Sequence, residues 1–194
     1  LLPNEIFPLK ILEPRFLKML DDEIKTKRYM GIIQPSVSKR KKSDTERVGC
    51  LGKISTYVEN DDGTLIVKLT GICRFNIIEE TENKMSYREM KVTYHAFNDD
   101  LTLDDNTDTI DREKLLNVIS DYLNVNDLTT DWSVITDTDT EILINAFAML
   151  SPFTAKEKQA LLEATNIENR SEILIALSEI SIASRNNKKN NFIQ

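Results

Sequence analysis

Two long β-like runs meet across a tight turn, and this constrains the chain more than any other feature. Val48 to Val58 and Leu65 to Ile78 flank Asn60-Asp61-Asp62-Gly63, residues that tolerate the positive φ of a hairpin turn. With Asp61 and Asp62 as the turn pair, Val58 faces Leu65, Thr56 faces Val67, and Ile54 faces Leu69. The same count sets Gly52 opposite Gly71 and Cys50 opposite Cys73. Leu65, Val67 and Leu69 alternate with Lys68 and Thr70, as in a strand with one buried face.

Ahead of the hairpin, the apolar run Ile6 to Leu12 stops at Glu13-Pro14-Arg15 and resumes at another spacing. Phe16, Leu17, Leu20 and Ile24, with Met19 beside them, follow helical periodicity, while Lys18, Asp21, Asp22 and Lys25 face away. Pro14 suits a first helical turn, where its missing N–H has no partner to lose. The break therefore predicts a strand-to-helix switch, with the helix reaching about Arg28. Met30 to Gln34, ending at Pro35, and Tyr87 to Phe97 predict two more strands.

At Asn98 the pattern changes. NDDLTLDDNTDTID is acidic and poor in large apolar residues, which predicts a linker. Beyond it the apolar spacing is helical. Leu115, Leu116, Ile119 and Leu123 form one stripe, and Ile142, Leu143, Ala146, Phe147 and Leu150 a second. Thr154 with Glu157 makes a capping box ahead of Leu161 and Leu162, and Ile173, Leu174, Leu177 and Ile180 form the last stripe. The expected organisation is a β-rich domain at 1–103, an acidic linker at 104–110, a helical bundle at 111–186 and a frayed polar tail at 187–194.

Charge narrows the function. The net charge of −7 disfavours nucleic acid, whose phosphates need a basic surface. The one basic run, Lys39-Arg40-Lys41-Lys42, reads as a solvated loop tip. Two cysteines in 194 residues are no disulfide framework, so a reducing cytoplasm is the expected location. Cys50 and Cys73 read as small buried residues, with a reversible redox pair as the alternative. No window approaches the length of a membrane span. The chain starts at Leu1, not Met, so an earlier leader stays open.

Catalytic constellations are missing from the pattern. His95, within VTYHAF, has no framed Ser or Cys nucleophile, so a structural or surface place fits better than a general base. CxxC, HExxH, GxxxxGK[ST] and GxGxxG do not occur. Asp21-Asp22, Asp61-Asp62, Asp99-Asp100 and Asp104-Asp105 read as turn formers and solvating groups. The acidic stretch Asp137 to Glu141 lacks the glycine and terminal glutamate of a calcium loop and reads as a helix cap at Thr138 or Asp139. No catalytic residue, metal ligand or cofactor is expected. What is left is a non-catalytic binding domain.

Several stretches carry a resemblance. FPLKILEPRF (7–16) is similar to the "LPL-x-IFEPRY" signature of the N-terminal domain of the ATP-dependent protease Lon. YMGIIQP, VGCLGKI, DDGTLIVKLTGICRF, Tyr87-Arg88 and Asp100-Leu101 follow in order, and AFAMLSPFTAKEKQALLEA resembles a stretch of stand-alone bacterial members. The resemblance implies an α+β fold, a PUA-like pseudo-barrel with helix 13–28 packed on it, then a small all-α bundle. It implies structural roles for Glu13, Pro14, Arg15, Gly49, Gly52, Gly71, Arg74 and Phe75, with Glu13 and Arg15 tying the helix start to the sheet beside Arg74.

It also implies the partners: unfolded or degron-bearing proteins, in a context of regulated proteolysis. Lon's ATPase and Ser-Lys peptidase lie in later domains, so a chain ending at Gln194 is expected to have neither activity. Family members carry an additional strand ahead of the part that starts here. Without it, an open sheet edge would be available to a second chain. Tyr57, Phe97, Tyr122, Trp132 and Phe153 are the candidate peptide-binding aromatics. The alternative is RNA binding, because PUA-like folds include RNA binders.

Overall fold

The computed structural model describes residues 1–36, 45–102 and 107–191, the last four of them as backbone alone. The chain divides into two compact units, Leu1–Asp104 and Asp105–Gln194. The basic run Lys39 to Lys42 and the pair Asp104-Asp105 lie outside the described residues.

The first unit is an open antiparallel sheet with one α-helix against it. Its strands are β1 (Ile6–Ile11), β2 (Tyr29–Ile32), β3 (Val48–Glu59), β4 (Leu65–Thr81) and β5 (Glu89–Thr93). The order is β1-β4-β3-β2, and β5 pairs with the far half of β4. The core is built from Ile11, Leu20, Met30, Ile54, Val67 and Leu69. Leu20 brings helix α1 (Pro14–Ile24) onto the sheet and is fully buried. Its truncation to Ala would cost about 2–5 kcal/mol.

The hairpin register holds only at its centre. Ile54 faces Leu69 and Gly52 faces Gly71, but Tyr57 faces Val67, Glu59 faces Leu65 and Cys50 faces Arg74. The turn is one residue longer than the sequence predicts: Asn60 donates its backbone N–H to Thr64 O and accepts from Gly63 N–H, and Asp62 accepts from Thr64 N–H. Two bulges, at Leu51/Gly52 and Ile54/Thr56, absorb the offset. A bulge keeps the apolar residues on the core face after a one-residue slip.

Other boundaries shift as well. Helix α1 stops at Ile24, not Arg28, because Thr26 and Arg28 both donate backbone N–H to Glu23 O. Arg28 then takes a φ of 63° and turns the chain into β2. The strand expected up to Phe97 ends at Thr93. His95 opens a 3-10 helix, His95–Leu101, so part of the expected linker is structured.

The second unit holds α2 (Arg112–Val125), α3 (Trp132–Asp137), α4 (Thr140–Leu150), α5 (Ala155–Glu163) and α6 (Ile167–Asn191). Asp139 caps α4 by accepting from Glu141 N–H. The capping box on α5 is complete, with Thr154 and Glu157 each accepting from the other's backbone N–H. Leu115, Ile119 and Tyr122 form the buried face of α2.

The α4 and α6 stripes differ from expectation. Ile142, Leu150 and Ile180 are exposed, while Asn145, Arg170, Ser171 and Ser178 are buried. Arg170 donates Nη1–H to Asn145 Oδ1 (2.8 Å) and Nε–H to Leu161 O (3.0 Å), joining α6 to α4 and α5. Buried polar groups are tolerated where such bonds replace water. Helix α6 also continues through the tail expected to fray, to Asn191.

Candidate functional site

The sheet does not close: among the described residues β1 pairs only with β4, and β2 only with β3. A groove of about 360 Å³ lies between these two strands, with the first turns of α1 as its third side. β1 and the residue after it contribute Leu9, Ile11 and Leu12. The helix contributes Phe16 and Met19, and the β2 side Met30, Ile32 and Ile33.

Local sequence explains why apolar side chains face this gap. Pro14 starts the helix at Glu13-Pro14-Arg15, so the chain leaves β1 abruptly and Leu12 falls beyond the ladder, exposed. Phe16, one turn on, is partly exposed with the Arg15 guanidinium 4.7 Å from its ring centre. Arg15 Nε–H also donates to Glu13 Oε2 (2.8 Å). Two methionines in the lining make the surface adaptable, because their unbranched chains repack at little cost. A largely apolar concavity of this size is the usual form of a ligand or peptide site.

The family-motif residues divide into separate places. Glu13 and Arg15 pair with each other at the surface and do not tie the helix to Arg74. Arg74 is buried in the sheet and bonded to Asp100 of the 3-10 helix, so Asp100 is not a solvating turn residue. Gly49 sits beneath Phe75, where an added Cβ would come 2.6 Å from the ring. Gly71 lies under the N-terminal segment, where a Cβ would come 2.0 Å from Leu2 O. At Gly52 the neighbours are Leu1 and Leu69. Of these positions Glu13 borders the groove, and the three glycines and Arg74 lie away from it.

The five aromatics divide between the two units, Tyr57 and Phe97 in the first and Tyr122, Trp132 and Phe153 in the second. Tyr57 is exposed on β3. Phe97 is buried, its ring 4.4 Å from the Arg74 guanidinium carbon. Tyr122 is buried, edge-on to Phe147 and tilted against Phe153. Trp132 is exposed on α3. Phe97 and Tyr122 are thus core residues, because a ring between packed elements buries more area than one at the surface. The groove residues Leu12, Phe16, Met19, Met30 and Ile33 were missed. The available signal was an apolar residue on each side of the Glu-Pro-Arg break.

His95 is exposed at the start of the 3-10 helix, its backbone N–H donating to Thr93 Oγ1. Burial pushes the Cys50 thiol up to about 12 and also raises Cys73. Both thiols are free, and the register does not set them opposite each other. Among the described residues no group of three or more His, Cys, Asp or Glu could hold a metal. No described helix is long and apolar enough to cross a membrane.

Comparison with known proteins fits this geometry. The sequence model of the ATP-dependent protease La (LON) substrate-binding domain matches residues 1–178. A Lon N-terminal domain protein from Xanthomonas campestris superposes with a TM-score of 0.64 at 19% identity, covering 91% of each chain. The N-terminal domain of Lon protease from the Mycobacterium avium complex superposes with a TM-score of 0.64 at 18% identity, covering 92% of this chain and 91% of the other. Among curated proteins, nothing matches.

Proposed function

This chain belongs to the ATP-dependent protease La (LON) substrate-binding domain family, and from that membership we propose that it grips apolar segments of unfolded or degron-bearing proteins in the groove between β1, α1 and β2. The observation that carries this is the exposure of Leu12 and Phe16 beside a concave apolar surface. Burying an exposed leucine or phenylalanine fully is worth about 1.5–3 kcal/mol, enough for useful affinity from a few such contacts. Strand edges on both sides of the groove offer backbone bonds to an extended guest. In this role the chain binds and transforms nothing, and it works in the cytoplasm in a proteolytic context.

The test is fluorescence anisotropy with a labelled, permanently unfolded protein. Wild type should bind, and Phe16→Glu should weaken binding about tenfold or more, since roughly 1.4 kcal/mol is a factor of ten. Absence of binding across a diverse peptide array would overturn the function. Undiminished binding by Phe16→Glu would overturn the location. A second copy is the competing occupant of the strand edges, and sedimentation of the free chain separates that case.

A further inference from the structure

The face of the sheet turned away from the core has an ordered pattern. Cross-strand partners share a face, and successive residues alternate between faces. The register therefore lays out three rows across β1, β4 and β3. They read Lys10, Ile66, Val58, then Pro8, Lys68, Thr56, then Ile6, Thr70, Lys53. Tyr29 of β2 extends the last row beside Lys53.

The three lysines fall on one diagonal. Ile66, Val58 and Thr56 lie on one side of it, and Pro8, Ile6 and Thr70 on the other. The apolar members are in water, with Ile6 59%, Val58 59% and Ile66 38% exposed. None of the nine positions is acidic, in a chain whose net charge is −7. Lys10 approaches Asp62 at 3.8 Å with both side chains more than half exposed, a pair of little energetic weight. Among the described residues no carboxylate lies within ion-pair distance of Lys53 or Lys68.

We infer that this face is a second docking surface, for an extended acidic protein segment that carries a carboxylate at every second residue. Three ammonium groups without strong acid partners supply the charge complementarity, which steers association and sets specificity. Diagonal neighbours on a sheet are about 7–8 Å apart, and alternate side chains of an extended chain about 6.6–6.8 Å. A segment lying along the diagonal can therefore set one carboxylate over each lysine. The intervening residues point away from the sheet, and Ile66 and Val58 on one side of the diagonal and Ile6 on the other flank the methylene stems of the carboxylate side chains. Nucleic acid fits less well: aliphatic side chains give bases no stacking face, and Tyr29 is the one aromatic in these rows.

This surface is independent of the groove, although Lys10 borders both. The test therefore uses Lys53 and Lys68. The full chain is titrated with a fluorescent peptide alternating Glu and Val, its Lys-Val counterpart, a neutral apolar peptide for the groove, and an oligouridine. The Glu-Val peptide should bind, more weakly as salt rises, and the Lys-Val peptide should not. Lys53→Glu/Lys68→Glu should weaken Glu-Val binding about tenfold and leave the neutral peptide unaffected. Lys53→Gln/Lys68→Gln, with an unchanged thermal melt, guards against misfolding and should give a smaller loss. Failure of the Glu-Val peptide to bind, equal affinity in both variants, or binding of oligouridine in its place would overturn the proposal. The neutral-peptide arm reports separately on the groove.

Discussion

Asp100 and Arg74 form a two-point ion pair inside the first unit, with side chains only 7% and 4% exposed. Arg74 donates Nη2–H to Oδ1 at 2.6 Å and Nε–H to Oδ2 at 2.9 Å, and its backbone N–H donates to Oδ2 at 2.8 Å. Phe97 lies against the guanidinium. One aspartate thus fixes the 3-10 helix to β4, through a planar fork that lysine could not supply.

Removing either partner strands a buried charge. Asp100→Asn or Arg74→Met alone should cost about 3–5 kcal/mol, and the pair removed together clearly less than the sum. Urea denaturation of the three variants checks this. Additive losses would mean that the two residues stabilise the fold independently.

Gly71→Ala should disturb the N-terminal segment, because backbone offers no flexible end to move from under the new methyl group. Gly63→Ala meets open space but must hold a φ of 74°, costing about 1 kcal/mol. Thermal melts should rank Gly71→Ala well below Gly63→Ala. Limited proteolysis should cut Gly71→Ala first near Leu1 to Asn4.

The buried Cys50 thiol gives a pH signature. Its value rises from 9.0 to about 12 on folding, chiefly by desolvation. A group raised in the folded state contributes stability that is complete below its unfolded value and lost as pH climbs through the folded one. Between pH 9 and 12 the wild type should therefore lose stability more steeply than Cys50→Ala. Denaturation midpoints across that range compare the slopes. At pH 8 the native thiols should react slowly with a disulfide reagent, and both should react fast after unfolding.

Arg170→Met in the second unit removes the bonds to Asn145 and Leu161 and leaves Asn145 Oδ1 buried without that donor. A loss of about 2–4 kcal/mol is expected. Arg170→Met/Asn145→Leu should recover part of it in a guanidinium melt. Thr154→Ala, at the surface capping box, should cost about 1 kcal/mol.

The elements were legible wherever one local rule governed them. Alternation at Leu65 to Leu69 gave the buried face of β4, Pro14 gave the helix start, and Thr154 with Glu157 gave the cap. The register failed by one residue on both sides of Ile54 and Gly52, because a bulge leaves no mark in an alternating pattern. Asp100 read as one more loop acid. Its partner Arg74 is 26 positions away, and no local periodicity links them. Ser178 and Arg170 broke the helical stripe because close packing and specific bonds, not hydrophobicity, bury them.

By itself the sequence determined a β-rich stretch followed by helices, since side-chain periods of two and of three to four are properties of short segments. It also carried the family motifs. Only the tertiary structure decided that Phe97 and Tyr122 are core, that Leu12 and Phe16 border a groove, and that three lysines distant in sequence share a diagonal. Each depends on which strands lie side by side, and long-range pairing, not local propensity, sets that arrangement.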